Sequence, residues 1–215
     1  MTRFYRLNIQ LLDTDIVISR CIEVPATLSL NQLHHVIQAV MGWQNTHLYL
    51  FEHGQQIWTH PSDQESFLDD DSDVEQQPDT EAVLCQVLQC LGDSLRYVYD
   101  FGDDWQHEVT LVAIEQRELD LQQAVTLLSA DGACPPEDVG GVPGYAQMVA
   151  AFTQQEGEEL EDFQRWLGCD HWDETDAKPA ELALRVQHLN QYLAEMQRAR
   201  WLAWTLNPAA EVIQM

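Results

Sequence analysis

Hydrophobic and polar residues alternate along the first part of the chain with the period of β-strands. The alternation pauses at the polar stretch 13–15 and then continues to Pro25. Its apolar members are Tyr5, Leu7, Ile9, Leu11, Ile16, Ile18 and Ile22. This pattern predicts a β-hairpin with one buried face. Residues 47–51 and 56–59 predict a third and a fourth strand around the turn residue Gly54.

A helical period separates the first hairpin from the third strand. Ser29, with Gln32 three positions later, forms a capping-box sequence, and Gly42 is typical of the residue after a helix end. The apolar residues between them recur at intervals of three and four: Leu30, Leu33, Val36, Ile37, Val40 and Met41. They predict one amphipathic helix, and His34 and His35 are expected on its surface.

A second hairpin is predicted around Gly102. A two-residue turn would place acidic side chains on the aromatic face, whereas a three-residue turn from Gly102 to Asp104 pairs Phe101 with Trp105 and keeps that face apolar. The three-residue turn is therefore predicted. It also pairs Tyr99 with His107, Tyr97 with Val109 and Leu95 with Leu111.

Helical patterns dominate the later part of the chain. Thr80 is expected to cap a short helix ending near Gly92, and Leu121, Val125 and Leu128 suggest a helical face within 118–129. Further helices are predicted at 145–152 and 160–167, and Pro179 suits the first turn of a long helix that continues to Met196. The predicted fold class is α+β, with an antiparallel β-sheet built from hairpins, packed with helices, and a mostly helical C-terminal third. We expect one domain over 1–215, in which 178–215 is a helical extension.

A loop rich in glycine and proline follows the second hairpin. Pro135 and Pro136 stiffen its beginning, while Gly140 and Gly141 permit positive φ or close backbone approach. Glu137 and Asp138 lie between these constraints, so their positions are expected to be well defined. Binding loops are built in this way, and so are structural corners.

These two stretches resemble the plasmid pRiA ORF-three-like family, whose members are also described as passenger proteins of insertion elements with a resolvase-like name. The resemblance lies in Tyr99-Asp100-Phe101-Gly102-Asp103-Asp104-Trp105 with His107, in Cys134-Pro135-Pro136-Glu137-Asp138 with Gly140-Gly141 and Gly144-Tyr145, and in Trp43 before His47-Leu48-Tyr49-Leu50-Phe51. It covers most of 3–170 and implies no particular reaction. Two departures are Val139, where many relatives have a second cysteine, and Trp172-Asp173, where relatives tend to have Phe-Asp-Pro.

Charge narrows the range of partners. The chain has 36 acidic and 10 basic residues and a formal net charge of −26, and Lys178 is its single lysine. This charge opposes direct binding to duplex DNA or to anionic membranes, and it favours a basic partner or a purely solvating role. Five cysteines without a paired spacing, and no apolar run long enough to span a bilayer, predict a cytoplasmic protein with reduced thiols.

An acidic segment, 61–80, is predicted to be a loop. Asp69, Asp71 and Asp73 have the spacing that begins a calcium-binding EF-hand loop. The motif then requires glycine at its sixth position and glutamate at its twelfth, and the chain has Val74 and Thr80 there. Calcium binding is therefore the less favoured interpretation.

The candidate ligand site combines both constrained loops. We expect the turn Asp103-Asp104 and the loop Glu137-Asp138 to lie near each other, with Trp43 and His47 at the rim. The full set of ligand-binding candidates is Trp43, His47, Asp100, Asp103, Asp104, Trp105, His107, Glu137, Asp138 and Tyr145. A divalent metal ion is a candidate cofactor, with Asp103, Asp104, Glu137 and Asp138 as its candidate ligands. In the alternative, these acids only close the turn and cap the following helix.

No catalytic motif stands out, so a noncatalytic binding or interaction protein of plasmid or mobile-element origin is the first hypothesis. A metal-dependent hydrolase is the alternative, with oxygen, nitrogen and sulfur ligands drawn from His47, Asp100, Asp103, Asp104, His107, Cys134, Glu137 and Asp138. A DNA-directed protein of a mobile element is the third hypothesis. The chain's nine arginines are scattered along the sequence, which argues against this hypothesis. The expected partner is a protein or a small ligand. We expect the tail residues Trp201 and Trp204 to be buried, either against the domain or against a second copy in a homodimer.

Overall fold

The computed structural model describes residues 1–62, 76–120 and 123–206, with the backbone alone for 198–206. Within these residues, eight strands form one sheet that is accompanied by five helices, so the architecture is mixed α+β. The strands are β1 Thr2–Leu11, β2 Ile18–Pro25, β3 Tyr49–His53, β4 Gln56–Thr59, β5 Gln76–Pro78, β6 Ser94–Tyr99, β7 Trp105–Arg117 and β8 Thr126–Asp131. The helices are α1 Leu30–Met41, α2 Leu84–Val87, α3 Gly141–Gln154, α4 Glu158–Leu167 and α5 Pro179–Leu206.

The strand order in the sheet is β5-β4-β3-β6-β7-β1-β2-β8, and every neighbouring pair except one is antiparallel. The exception is β4 with β5, which run parallel. The prediction of a purely antiparallel sheet was therefore wrong at this edge. Parallel neighbours need a long connection, and residues 60–75 provide its length.

The first hairpin and the first helix agree with the sequence prediction. Leu11 pairs with Ile18 across the predicted turn, and the inward side chains of β1 are buried in one hydrophobic core with apolar side chains of α1. Ser29 accepts from the Gln32 amide while the Gln32 side chain accepts from the Ser29 amide, and α1 ends at Gly42. The opposite face of the sheet is more exposed and carries ion pairs between Arg6 and the acids Glu23 and Glu115.

The second hairpin has a longer turn than predicted. Tyr99 pairs with Trp105 and Tyr97 with His107, so the turn spans five residues and Phe101 lies outside the strands with 40% of its surface exposed. The predicted three-residue turn was wrong by a register shift of two. Such a shift leaves every side chain on the same face, so the hydrophobic pattern could not exclude it.

The predicted helical face within 118–129 was also wrong. Strand β7 continues to Arg117, and Thr126–Asp131 forms β8, which pairs with β2. Val125 is bound through both its amide and its carbonyl group by the side chain of Asn190 on α5. The backbone of this segment therefore forms its hydrogen bonds with strand β2 and with Asn190 on α5. The local sequence reveals neither of these partners. Leu121 lies outside the described residues.

The predicted helix between Thr80 and Gly92 is reduced to the single turn α2. The Leu84 amide donates to the Leu28 carbonyl, and the Cys85 amide donates to the Ala26 carbonyl. The start of α2 is thus tied to the loop before α1, and the chain is extended again at Leu88.

The C-terminal third is only partly helical, because 168–178 form an irregular connection between α4 and α5. Pro179 begins α5, as predicted, and Leu182, Val186 and Leu193 on this helix are buried. No helix in the described ranges is both long enough and apolar enough to cross a membrane. The predictions for Asp69–Asp73 and for the side chains of Trp201 and Trp204 concern residues outside this description.

Candidate functional site

The five-residue turn between β6 and β7 is organised by Asp100. Its backbone is left-handed, with φ of 58°, and its carboxylate oxygen Oδ1 accepts from the amides of Gly102 at 2.9 Å and Asp103 at 3.3 Å. The Asp100 amide donates to the Leu48 carbonyl at 2.9 Å. Because these contacts fix its backbone and one oxygen, Oδ2 remains available to a neighbour.

The loop that precedes α3 is fixed by buried side chains. Trp43 Nε1 donates to the Pro135 carbonyl at 3.0 Å, and the Tyr145 hydroxyl donates to the Ala133 carbonyl at 3.0 Å. Burial raises the pKa of Tyr145 to about 12, so its hydroxyl remains a donor at neutral pH. Trp43 and Tyr145 are almost completely buried. Their side chains therefore support the loop and are not free at its surface.

The turn and the loop lie in direct contact. Asp103 Oδ2 accepts from the Gly140 amide at 3.1 Å, and a Cβ atom at Gly141 would lie 2.5 Å from the Asp103 carbonyl oxygen. Gly141 also has a φ of 67°, so glycine is required there both by the backbone conformation and by the space. Asp103 thereby holds the start of α3 against the turn.

Both carboxylate oxygens of Glu137 accept hydrogen bonds from neighbouring parts of the protein. Its Oε1 atom accepts from the Gln44 amide at 2.9 Å and from the Tyr99 hydroxyl at 2.6 Å, while Oε2 accepts from Thr46 Oγ1 at 3.2 Å. Burial and the bond to Glu137 raise the pKa of Tyr99 to about 12. The predicted capping of α3 by Glu137 and Asp138 is wrong, because neither carboxylate bonds to the first turn of that helix.

His47 lies between two carboxylates from different segments. Its Nδ1 atom is 3.6 Å from Asp100 Oδ2, and its Nε2 atom is 3.2 Å from Asp138 Oδ1. The Asp100 side chain is largely buried, whereas the Asp138 side chain is 72% exposed. One ligand atom from each residue lies within 4.8 Å of the other two. We call His47, Asp100 and Asp138 the His47 cluster.

The remaining predicted candidates lie apart from this cluster. Asp104 is exposed and accepts from Gln106 Nε2 at 2.6 Å. Trp105 and His107 belong to the core, where the His107 Nδ1–H donates to the Tyr97 carbonyl at 3.3 Å. Burial lowers the pKa of His107 to about 4, so its ring is neutral at physiological pH. Cys134 is half-buried, and the desolvation of its thiol raises the pKa of that group to about 12.

A buried histidine near the site was missed by the sequence analysis. His34 is fully buried and stacks on Tyr49 with ring centroids 3.5 Å apart, so its predicted surface position was wrong. Gln38 Nε2 donates to the Tyr97 hydroxyl, which lies 2.8 Å from His34 Nδ1, and His34 Nε2 lies 2.6 Å from Asn45 Oδ1. The available signal was spacing, because position 34 falls on the same helical face as Leu30.

Among the cavities that border the His47 cluster, two are lined by His47 itself. A cavity of about 590 Å³ is lined by His34, His35, His60 and Asp100, and a cleft of about 810 Å³ is lined by Trp43, Trp166, Trp172, Asp138, Asp173 and Lys178. We call the second the tryptophan cleft. Thr46 and His47 line both cavities, so the two cavities adjoin at these residues.

Comparisons with known proteins identify relatives along most of the chain. The family model described as plasmid pRiA4b ORF-3-like protein matches residues 3–181. The uncharacterized protein y4hQ of Sinorhizobium fredii is 32% identical over 199 residues, which cover 91% of this chain and 96% of that protein. A crystal structure of the protein of unknown function MM3350 from Methanosarcina mazei Go1 is similar, with a TM-score of 0.69 and 29% identity, and the match covers 83% of this chain and 98% of that one.

Proposed function

The chain belongs to the family of plasmid pRiA4b ORF-3-like proteins, and from the site we propose that it is a noncatalytic binding protein that holds an organic cation in the tryptophan cleft. The ligand class is an alkylammonium or guanidinium group, carried either by a free polyamine or by the side chain of a basic protein. The cleft volume of about 810 Å³ lies in the usual range of small-ligand sites.

One intramolecular contact carries this proposal. The ammonium group of Lys178 lies 5.7 Å from the centroid of the Trp172 ring, within the range of a cation–π interaction. Lys178 is the chain's single lysine. The contact supports the cleft as a position that attracts a cation, and the Lys178 ammonium stands in for the group that a ligand would place there.

The charge of the cleft lining supports the same ligand class. Asp138, Asp173 and Asp176 line the cleft together with Glu181, whereas its cations are Arg20 and Lys178. The buried Arg20 guanidinium donates to the carbonyl groups of Ser19, Val40, Asp131 and Gly132 and is unavailable to a ligand. Hydrogen bonds from Thr175 lower the pKa of Asp173 and keep this carboxylate charged. The acidic chain as a whole would steer cations toward the cleft.

Isothermal titration with spermidine and with a hexalysine peptide tests the proposal. We expect both to bind at low salt. Lys178→Met should strengthen binding because it removes the internal competitor, and Asp176→Asn should weaken it while keeping an acceptor for the Lys178 amide. Glu108→Gln makes the same change in net charge on strand β7, outside the cleft lining, and should leave binding unchanged.

The outcomes separate a specific site from general attraction. Equal losses in Asp176→Asn and Glu108→Gln would mean that the whole acidic surface attracts the probe, and the proposal would fail. No heat with either probe would also reject it. Binding of hexalysine without binding of spermidine would identify the ligand as a side chain of a basic protein.

A metal-dependent hydrolase is the second candidate function. The observation that favours it is the approach of His47, Asp100 and Asp138 from three segments of the chain. Hydrolysis of p-nitrophenyl acetate or bis(p-nitrophenyl) phosphate in the presence of zinc or manganese, lost in His47→Gln, would support it. Absence of turnover in the metal-loaded protein would leave the binding function alone.

A further inference from the structure

We infer that the His47 cluster is a binding site for one divalent transition-metal ion of the zinc or manganese type. The ligands are the imidazole of His47 and the carboxylates of Asp100 and Asp138. One ligand atom from each residue lies within 4.8 Å of the other two. Nitrogen with carboxylate oxygen is a donor set that suits zinc and manganese better than calcium, which prefers oxygen alone.

Neither ring nitrogen of His47 has the contacts expected of a hydrogen-bonded histidine. Nε2 is shielded from solvent, yet it makes no hydrogen bond within the described residues, because its 3.2 Å contact with Asp138 is out of line. Nδ1 is 3.6 Å from Asp100 Oδ2, which is longer than a hydrogen bond. A buried imidazole nitrogen without a partner is costly, and a metal ion would supply that partner.

Each of these two separations, taken singly, is close to one edge of a coordination polyhedron. With metal–ligand distances of about 2.1 Å, adjacent ligand atoms lie about 3.0 Å apart in octahedral geometry and about 3.4 Å apart in tetrahedral geometry. The observed 3.2 Å and 3.6 Å involve opposite nitrogens of the ring, so one nitrogen would ligate the ion and the second carboxylate would have to move inward. Asp138 has the freedom to do so because its side chain is 72% exposed.

The backbone around the cluster is built for these positions. Asp100 and Asp138 are both left-handed, with φ of 58° and 60°. Such conformations cost free energy in non-glycine residues and persist where the surrounding structure fixes them. Asp100 Oδ1 is held by two backbone amides, which directs Oδ2 toward His47.

The negative charge of the cluster is not neutralised by a basic side chain. Of the ion pairs within the described ranges, those of Asp100 and Asp138 involve His47 and neither lysine nor arginine. Glu137 and Asp103, predicted as metal ligands, are occupied by hydrogen bonds, and Asp104 bonds to Gln106. The proposed site thus shares Asp138 with the four predicted metal ligands and does not use the other three.

Metal titration of the full chain tests this inference. Zinc and manganese are titrated separately by calorimetry, and the melting temperature is measured with and without a chelator. We expect one tight site per chain in the wild type. His47→Gln and Asp138→Asn should each weaken that site at least about tenfold, in line with the effect of disturbing the shell around a metal.

Asp104→Asn is the matched control, because it removes one carboxylate from the same turn without touching the cluster. It should bind the metal like the wild type. Cobalt(II) adds a spectroscopic readout, since visible bands that depend on a nitrogen ligand should appear in the wild type and disappear in His47→Gln. Circular dichroism verifies that each variant is folded, and the exposed Asp138→Asn variant decides the test if His47→Gln does not fold.

Two results would overturn the inference. One is a calorimetric titration of the wild type that shows no binding of the metal at a single site. The other is full affinity in both His47→Gln and Asp138→Asn, which would assign the bound ion to acidic residues elsewhere, such as the run Asp69–Asp73. The measurement uses neither turnover nor an organic cation, so its result is independent of the proposed binding in the tryptophan cleft, whereas the hydrolase candidate rests on this metal site.

Discussion

Two core histidines should make the protein unstable at mildly acidic pH. His34 and His107 are fully buried, and burial lowers their pKa values from 6.5 to about 3 and about 4. The hydrogen bonds of His34 require a neutral ring, because Tyr97 must donate to Nδ1 once it has accepted from Gln38. Protonation of His34 would leave the Tyr97 hydroxyl without an acceptor.

The direction and size of the effect follow from linkage between protonation and unfolding. A histidine with a lowered pKa in the folded state is protonated first in the unfolded state, so its stabilising effect is complete above pH 6.5 and is lost as the pH falls toward the folded value. Each such histidine costs about 1.4 kcal/mol per pH unit in that window. Between pH 7.5 and pH 5, His34 and His107 together should lower the free energy of unfolding by about 4 kcal/mol.

Urea unfolding followed by tryptophan fluorescence at pH 7.5 and pH 5 measures this loss. In His34→Gln, whatever its stability at pH 7.5, the further loss on acidification should be smaller than in the wild type by about 2 kcal/mol, because one of the two fully buried histidines is absent. His188→Gln, which changes an exposed histidine on α5, should lose as much as the wild type. An undiminished loss in His34→Gln would refute the reasoning.

Three further predictions concern other parts of the molecule. Gly141→Ala should destabilise the protein by about 1–3 kcal/mol more than Gly54→Ala in thermal unfolding. Both substitutions strain a left-handed backbone, but only the Cβ atom at position 141 clashes with Asp103. Equal losses in the two variants would mean that the loops separate easily. Filter binding at low salt should detect no tight binding of duplex DNA, because the net charge is −26, and sub-micromolar affinity with a steep salt dependence would contradict this. A chain truncated at Arg198 should have a lower melting temperature or solubility because it lacks the apolar tail, and an unchanged melting temperature at equal concentration would contradict the predicted packing of the tail on the domain or on a second copy.

Short-range periodicity by itself determined the local elements of this protein. The alternation around Leu7 places alternate side chains on opposite faces of β1, and the capping box at Ser29 fixes the start of α1, because both signals arise within a few residues of backbone. The same reasoning predicted the turn at Asp13-Thr14-Asp15 and the start of α5 at Pro179. It also singled out the turn after β6 and the loop before α3, because their glycine, proline and acidic residues exclude regular structure.

Tertiary structure alone decided the pairings that local patterns leave equivalent. A register shift of two residues preserves the faces of a hairpin, so the pattern does not fix the five-residue turn, whereas the bond from the Asp100 amide to the distant Leu48 carbonyl helps to fix it. Strand β8 exists because the edge of β2 and the side chain of Asn190 satisfy its backbone, and Asn190 is far away in sequence.

The candidate site depends on the same distant pairings. His47, Asp100 and Asp138 are adjacent only because the loop after α1, the turn after β6 and the loop before α3 meet at one end of the sheet. The sequence analysis named all three as ligand candidates, but of these it named only Asp138 as a metal ligand, together with Asp103, Asp104 and Glu137. Asp103, Asp104 and Glu137 have hydrogen-bond partners that no spacing rule reveals: the Tyr99 hydroxyl for Glu137, the Gly140 amide for Asp103 and the Gln106 side chain for Asp104. Residue type decides which groups are able to bind a cation, and tertiary contacts decide which of them remain free to do so.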